Sequence, residues 1–246
     1  MAADISSILF TVVETSTVLV TFVMMASGLP ACLNMYKRRS TANVPYLLFL
    51  ISVFLSTLGL QYGIMMGNKT LVLINMVGVI VWGSYIAIYI LVSKPKSQPV
   101  FRLLAVIALY LAHLYYLTTL PSADRVSTVG KYMLTWCLMI SLVQAGEIFT
   151  IVRTKSTKGC DVSLLCGATL NVTVWFLYGF LVNDINIYFP TIPGLLISLI
   201  KIALILLYGL PSGEPIAEGA PSDDTSRKNQ AQVLNGNYAD SVRQRK

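Results

Sequence analysis

Apolar side chains run along this chain for about twenty residues at a time, and short polar or basic segments separate the runs. An α-helix rises about 1.5 Å per residue, so a run of about twenty residues crosses the roughly 30 Å hydrocarbon core of a bilayer. The pattern therefore predicts an all-α membrane protein with seven transmembrane helices. The predicted spans are 8–36, 44–66, 70–92, 101–120, 129–152, 162–183 and 186–209.

The composition agrees with a chain that lies in a membrane. Hydrophobic residues make up 55% and charged residues 12% of the 246 positions, and the mean hydropathy is +0.70. Soluble domains carry about twice that share of charge. Four cysteines form no CxxC pair, and the single histidine, His113, is expected to be a packed or pore-rim polar group on the fourth span. We therefore expect no cofactor, no metal site and, because no nucleophile, base and acid converge, no enzyme activity.

Basic residues lie mostly in alternate loops, and this asymmetry predicts the orientation. One set of loops carries nine Lys and Arg residues and the other set carries three. The positive-inside rule places the nine in the cytoplasm. Residues 1–7 are then a short extracellular N-terminus and residues 210–246 a disordered cytoplasmic tail. We expect a multi-pass protein of the plasma membrane, with the Golgi as the alternative, and no nucleic-acid partner. The nine are Lys37, Arg38, Arg39, Lys94, Lys96, Arg102, Arg153, Lys155 and Lys158, and the three are Lys69, Arg125 and Lys131.

Three separated motifs recur at one constant offset of 116 residues. Four spans lie between the copies, so both copies enter the membrane in the same sense, and the repeat is parallel. It predicts two parallel three-helix bundles, residues 8–92 and 129–209, joined by a linker, residues 93–128, that contains the fourth transmembrane helix. A shared site is expected between such halves, near the middle of the bilayer. The matched motifs are Ser40-Thr41 with Ser156-Thr157, Tyr62-Gly63 with Tyr178-Gly179, and Gly78 with Gly194.

The third span contains a carboxamide, Asn75, and no charged residue from 71 to 92. Such a group is costly in a membrane unless a second helix or a ligand meets its donors and acceptor, and either partner satisfies this requirement. The offset pairs Asn75 with Thr191, and each lies three residues before the repeated glycine. Two polar side chains at equal depth suit a neutral, hydroxylated solute. Pro190 and Pro193 are expected to kink the last span because proline lacks an amide donor.

A larger set of residues makes the chain similar to the SWEET family of sugar transporters, closer to its animal branch. SWEET proteins are themselves a known example of parallel repeats. The similarity extends from about residue 15 to residue 209. It rests on residues 37–41 (Lys-Arg-Arg-Ser-Thr), Val44-Pro45-Tyr46, Tyr62-Gly63, Asn75 to Gly78, residues 153–157, Trp175 to Gly179, Asp184 and Pro190 to Gly194.

The resemblance implies roles for particular residues. Sugar contacts are implied for Asn75, Thr191 and Trp175, although the family usually has Asn where this chain has Thr191. The first-half counterpart of Trp175 is Gly59, where the family has tryptophan. An extracellular gate is implied for Tyr62, Asp184 and Lys69, and hinges for Gly28, Pro30 and Pro45, to which the sequence itself adds Pro190 and Pro193. Gln144 and Asp161 replace the remaining two hinge prolines of the family.

The function that follows is facilitated, bidirectional transport of a glucose-like monosaccharide or a disaccharide by alternating access. No mid-span carboxylate recurs at the offset of 116 residues, so we expect no coupling to an ion gradient. We expect Lys201 to pair with Glu147. A PQ-loop-type amino-acid carrier and a seven-span receptor without transport activity stay open as alternatives. A homo-oligomer also stays open, although one chain already holds both halves and needs no partner to form a path.

Overall fold

The computed structural model describes residues 2–42, 44, 46–157 and 160–210, without the side chains of 2–4 and 143. The predicted hinge Pro45 and all but the first residue of the predicted tail lie outside these described residues. Nine helices form seven candidate membrane spans in the described part, which confirms the predicted number of spans. The helices are α1 (Ala2–Ala26), α2 (Leu29–Arg38), α3 (Tyr46–Met66), α4 (Lys69–Val92), α5 (Ser97–Thr119), α6 (Ser122–Thr154), α7 (Val162–Leu181), α8 (Ile185–Tyr188) and α9 (Thr191–Tyr208).

Two helices begin at least six residues earlier than the apolar pattern predicts. Helix α1 begins at Ala2, so most of the short N-terminal segment is already helical. Helix α6 begins at Ser122, within the predicted linker. Pro121 stands immediately before α6, and Asp124 lies in its first turn, where a carboxylate interacts favourably with the helix dipole. Polar first turns of this kind extend a helix beyond its apolar stretch.

The first span is broken between α1 and α2, where Gly28 and Pro30 lie. Proline has no amide to donate to the preceding turn, which ends the regular hydrogen bonding of α1. Tyr85 of α4 donates a hydrogen bond of 3.0 Å to the carbonyl of Met25 beside the break. A Cβ atom on Gly28 would lie 2.8 Å from the Tyr85 ring, so a glycine is required where α4 approaches.

The last span is interrupted between α8 and α9, where the sequence predicts a kink. Pro190 directly precedes α9, and Pro193 lies in its first turn. Amides of a first turn have no partner within their own helix, so Pro193 is accommodated there at little cost. The regular helix is thus interrupted at Phe189 and Pro190, although both residues keep right-handed helical dihedrals.

The repeat is present in the helix boundaries as well as in the motifs. Shifted by 116 residues, α3 falls on 162–182, against Val162–Leu181 for α7, and α4 falls on 185–208, the combined range of α8 and α9. The left-handed residues at helix ends also match, because Arg39 and Lys155 have φ of 51° and 48°. Gly67 and Asn183 have φ of 67° and 57° and show the same correspondence.

The two bundles contact each other through two pairs of helices, and the 116-residue shift relates one pair to the other. Helix α1 packs against α7, and α3 packs against α6. The shift of 116 residues maps α1 onto α6 and α3 onto α7, so the two contacts are equivalent. Helix α5 packs against α3 and α4 of the first bundle. We call the end of the helices that carries Lys37, Lys94, Arg102 and Arg153 the basic end.

Candidate functional site

A buried apolar layer joins the two bundles at the end of the spans opposite the basic end. Its core is three pairs of side chains, and the two members of each pair are 116 residues apart. Leu117 of α5 completes the layer, and every member is 8% exposed or less. We call this layer the seal. The three pairs are Val13 with Val129, Tyr62 with Tyr178, and Leu71 with Ile187.

Two reciprocal hydrogen bonds connect the bundles at the seal. The Tyr62 hydroxyl of the first bundle donates to the Asp184 carboxylate of the second, at 3.0 Å from Oδ1 and 2.9 Å from Oδ2. The Tyr178 hydroxyl of the second bundle donates to Asn68 Oδ1 of the first, at 2.9 Å. The repeat maps Tyr62 onto Tyr178 and Asn68 onto Asp184. The same interaction is therefore made twice, once in each direction.

The two acceptors of these bonds are also helix caps. Asn68 Oδ1 accepts from the amide of Leu71 at the start of α4, at 2.9 Å. Asp184 Oδ1 accepts from the amide of Asn186 at the start of α8, at 2.9 Å. The amide group of Asn186 also donates to the Tyr62 hydroxyl, at 2.9 Å. Each tyrosine thus bonds to the cap residue of a helix in the opposite bundle, and opening the seal must break these tyrosine bonds.

Of the three predicted gate residues, the structure brings Tyr62 and Asp184 together. Lys69 is exposed and lines an open groove between α3 and α4, together with Gly63 and Met76. Asn68 and Tyr178 complete the hydrogen bonding at the seal, and sequence reasoning assigned them no gate role. The signal that could have found them is the offset of 116 residues, because it relates them to Asp184 and Tyr62.

Asn75 lies one helical turn from the seal, on its basic side. Its Nδ2 atom donates to the carbonyl of Leu71, a seal residue, at 2.8 Å. Its carboxamide packs against Gly59 of α3, where a Cβ atom would lie 2.5 Å from Oδ1 and 2.8 Å from Nδ2. Among the described residues the half-buried Asn75 side chain has no other hydrogen-bond partner. Its Oδ1 atom and second N–H group thus make no hydrogen bond within the described part of the protein.

Trp175 lies at the same depth, three residues before Tyr178. Its indole Nε1 donates to the Thr21 hydroxyl of α1 at 2.9 Å, and that hydroxyl donates to Asn171 Oδ1 at 3.2 Å. The indole ring meets the Tyr178 ring edge-on, with 6.0 Å between centroids. Trp175 is half-buried where α1 meets α7, so the contact between the two bundles fixes its orientation.

Thr191 follows the seal residue Ile187 by four residues, as Asn75 follows Leu71. Its hydroxyl donates to the carbonyl of Tyr188 at 2.6 Å, across the break between α8 and α9. A hydroxyl has one proton but two lone pairs, so Thr191 keeps the capacity to accept a hydrogen bond. The half-buried residues Asn75, Trp175 and Thr191 thus all lie one turn from the seal.

The acidic and basic side chains in the spans bond to groups other than these three residues. Lys201 pairs with Glu147 near the basic end, as predicted. The Thr70 hydroxyl donates to Glu14 at the level of the seal. His113 is buried and stacks on Tyr132 with 4.4 Å between centroids, which agrees with a packed polar group. Within the described ranges, no three His, Cys, Asp or Glu side chains are grouped to hold a metal ion.

A sequence model of one protein family matches this chain twice, at residues 11–97 and 128–212. That family is described as sugar efflux transporters for intercellular exchange. The two matched segments correspond to the two copies of the repeat. Together they cover more than half of the chain.

Curated relatives are similar to this protein over most of the chain. Sugar transporter SWEET1 of Xenopus tropicalis is 31% identical over 195 residues, which is 78% of this chain and 90% of that protein. The Rattus norvegicus SWEET1 is 29% identical over 197 residues, 79% of this chain and 89% of that protein. Bidirectional sugar transporter SWEET9 of Arabidopsis thaliana is 30% identical over 199 residues, 77% of this chain and 76% of that protein.

The fold is also similar to a solved structure of a eukaryotic SWEET transporter. The TM-score is 0.73 at 19% identity, and the match covers 83% of this chain and 98% of the other. At this level of identity the likeness concerns the fold alone.

Proposed function

The chain belongs to the SWEET family of sugar transporters, and from this premise we propose that it carries a neutral mono- or disaccharide between its two bundles by facilitated diffusion. The family assignment identifies a transporter and not an enzyme. The sugar passes between the bundles, moves down its gradient in either direction and is not coupled to an ion. The observation that supports it most strongly is the reciprocal seal directly above Asn75 and Trp175.

Alternating access requires two arrangements of the same contacts, one closed on each side of the site. The seal closes one side with matched interactions from both bundles. At the basic end, the buried cluster around Tyr46 and Tyr85 draws all its described members from residues 32–106, within the first bundle and α5. This difference supports a state that is closed at the seal and open toward the basic end. We place the basic end in the cytoplasm because of its excess of Lys and Arg.

The proposed site combines an amide, a hydroxyl and an aromatic ring. Asn75 offers a donor and an acceptor, Thr191 offers an acceptor, and the face of Trp175 suits the C–H surface of a sugar ring. None of these groups carries a charge, which favours a neutral substrate. Opening the seal would release the sugar on one side, and the helix breaks at Gly28 and Pro190 are the proposed hinges.

The carboxylates of the spans support transport without ion coupling. Asn75, Trp175 and Thr191 make no hydrogen bond to a carboxylate in the described part of the chain. Glu147 is paired with Lys201, and Asp184 and Glu14 are hydrogen-bonded at the seal. A coupled carrier needs an ionisable group that responds to substrate binding.

Uptake of radiolabelled glucose and sucrose into proteoliposomes tests the site. We expect Asn75→Ala and Trp175→Ala to lower the initial rate at subsaturating sugar by about tenfold, the effect of losing one ligand contact of about 1.4 kcal/mol. Trp82→Ala is the matched control, since Trp82 packs among Phe49 and Tyr85 in the first bundle. Equal rates for wild type and both site variants, with correctly folded protein, would contradict the proposed site.

The same vesicles test coupling. An imposed pH or sodium gradient should leave the initial rate unchanged, and sugar inside should reach the outside concentration without exceeding it. Accumulation above that level, or acceleration by either gradient, would show coupled transport. An excess of unlabelled cationic amino acid that blocks uptake would favour the amino-acid carrier instead.

A further inference from the structure

A small polar cavity lies at the basic end, where α3, α4 and α5 meet. Its volume is about 120 Å³. Tyr46, Ser93 and Pro99 form a buried floor, and the exposed residues Lys94 and Arg102 lie at its rim. The cavity lies at the opposite end of the first bundle from the seal, so it is separate from the proposed sugar site.

Stacking and hydrogen bonds hold the cavity walls in place. The rings of Tyr46 and Tyr89 stack with 4.2 Å between centroids and 20° between planes. The Tyr46 hydroxyl donates to the carbonyl of Pro99 at 2.8 Å, which ties α3 to α5. The Ser93 hydroxyl donates to the carbonyl of Tyr89 at 2.8 Å. The cavity therefore has a built floor and is more than a gap between mobile loops.

The second bundle differs from the first at the described positions that correspond to the cavity wall. There the Thr157 hydroxyl, the counterpart of Thr41, is buried and donates directly to the carbonyl of Gly209 at 2.8 Å. The counterparts of Tyr46, Tyr89 and Lys94 are Val162, Ile205 and Leu210. At these three positions the second half carries apolar side chains where the first half carries two aromatic hydroxyls and a cation. Side chains specific to the first half create the cavity.

The charge and size of the cavity define its ligand. Lys94 and Arg102 form no ion pair within the described ranges, so two cations face a polar cavity without a compensating carboxylate. A volume of about 120 Å³ leaves room for a small anion. Arginine, lysine and hydroxyl groups are the usual donors to phosphate oxygens. Basic pockets between transmembrane helices at the cytoplasmic side bind phosphorylated lipid headgroups.

We propose that this cavity binds a phosphate group, carried either by a lipid headgroup or by soluble phosphate. The Arg102 guanidinium and Lys94 ammonium neutralise the phosphate charge, and Thr41 donates from the wall. A bound phosphate would tie α5 to the end of α4 and so hold the linker helix against the first bundle.

Binding to the full-length protein tests this directly. The first arm titrates inorganic phosphate at constant ionic strength and follows the thermal unfolding midpoint of the protein in phosphatidylcholine nanodiscs. The second arm replaces part of the phosphatidylcholine with phosphatidylinositol phosphate and measures retained lipid by native mass spectrometry. We expect Lys94→Gln with Arg102→Gln to weaken binding at least about tenfold. Binding in the first arm alone identifies soluble phosphate as the ligand, and retention in the second identifies a lipid headgroup.

The matched control is Lys37→Gln with Lys96→Gln, which removes the same charge at the same end but from side chains outside the cavity. This control should bind as wild type does. Equal loss in both double variants would mean general surface attraction, and absence of binding to wild type in both arms would equally overturn the proposal. Gln98→Glu puts a carboxylate at the rim with little change in shape and should also weaken phosphate binding. This variant replaces the double variant as the test if the double variant does not fold.

Discussion

At the scale of single residues, the position of the Asn75 carboxamide depends on a glycine in the neighbouring helix. Gly59 leaves the space that the carboxamide fills, and its counterpart in the second half is Trp175. The two halves thus place an amide over a glycine on one side, and an indole with a nearby hydroxyl on the other. We infer that the proposed site is asymmetric although the scaffold is symmetric.

Gly59→Ala should therefore reduce transport. The added Cβ would lie 2.5 Å from Asn75 Oδ1, so the carboxamide must turn away, and we expect about a tenfold lower uptake rate, as for the loss of one hydrogen bond. Gly83→Ala is the matched control in α4, because no atom lies within 4 Å of its added Cβ. The proposed role of Gly59 fails if uptake by the two variants is the same.

The two seal tyrosines bond to partners of different charge. We therefore expect their phenylalanine variants to differ in the free energy of unfolding. Tyr62→Phe leaves the 7%-exposed Asp184 carboxylate without its hydroxyl donor and should lower the free energy of unfolding by about 1.5–3 kcal/mol. Tyr178→Phe removes a bond to the neutral Asn68 and should cost about 0.5–1.5 kcal/mol. Unfolding in mixed micelles measures both.

Tyr36→Phe is the control for this pair, since Tyr36 is exposed at the basic end. Its free energy of unfolding should match that of wild type. A Tyr178→Phe variant less stable than Tyr62→Phe would contradict the assigned order, and it would indicate that the bond to Asn68 contributes more than the bond to Asp184.

At the scale of helices, the ends were harder to predict than the middles. The break at Gly28 was predictable because Pro30 cannot donate a backbone hydrogen bond. The start of α6 at Ser122 was not, because its first turns are polar and give no apolar signal. The Thr191 hydroxyl bonds Tyr188 across a helix break, and that contact depends on where α8 ends. Periodicity locates buried faces, whereas local capping sets the ends.

The left-handed residue between α3 and α4 gives a prediction at this scale. Gly67 has φ of 67°, and its counterpart Asn183 adopts 57°, so Gly67→Asn should leave stability nearly unchanged. Gly67→Val should cost about 1–2 kcal/mol, because a branched side chain disfavours this conformation. No atom lies within 4 Å of a Cβ at this position, so a packing clash does not contribute to the expected loss of stability. Equal thermal stability of the two variants would refute this explanation.

At the scale of the whole molecule, the offset of 116 residues predicted most of the architecture. It related the bundles, the interbundle contacts and, once applied to Tyr62 and Asp184, the second hydrogen bond of the seal. It could not predict where symmetry is broken. The second half has Trp175 where the first has Gly59, and Leu210 where the first has Lys94. The effect of these differences depends on the packing around each residue. Lys69 illustrates the same limit, since its position on an exposed groove depends on how α3 and α4 diverge.

The central claim is that sugar passes between the bundles only when the seal opens. Lys69 and Ile185 are exposed, equivalent under the repeat, and begin α4 and α8 directly after Asn68 and Asp184. In a background with Cys160→Ser and Cys166→Ser, Lys69→Cys with Ile185→Cys can be bridged by a cleavable thiol reagent, and each single cysteine is the control.

The decisive measurement is radiolabelled sugar uptake by proteoliposomes before bridging, after bridging and after cleavage of the bridge. The account predicts that uptake stops in the bridged double variant, returns on cleavage, and is unaffected in the single variants. Uptake at the full rate through fully bridged protein would contradict a path between the two bundles.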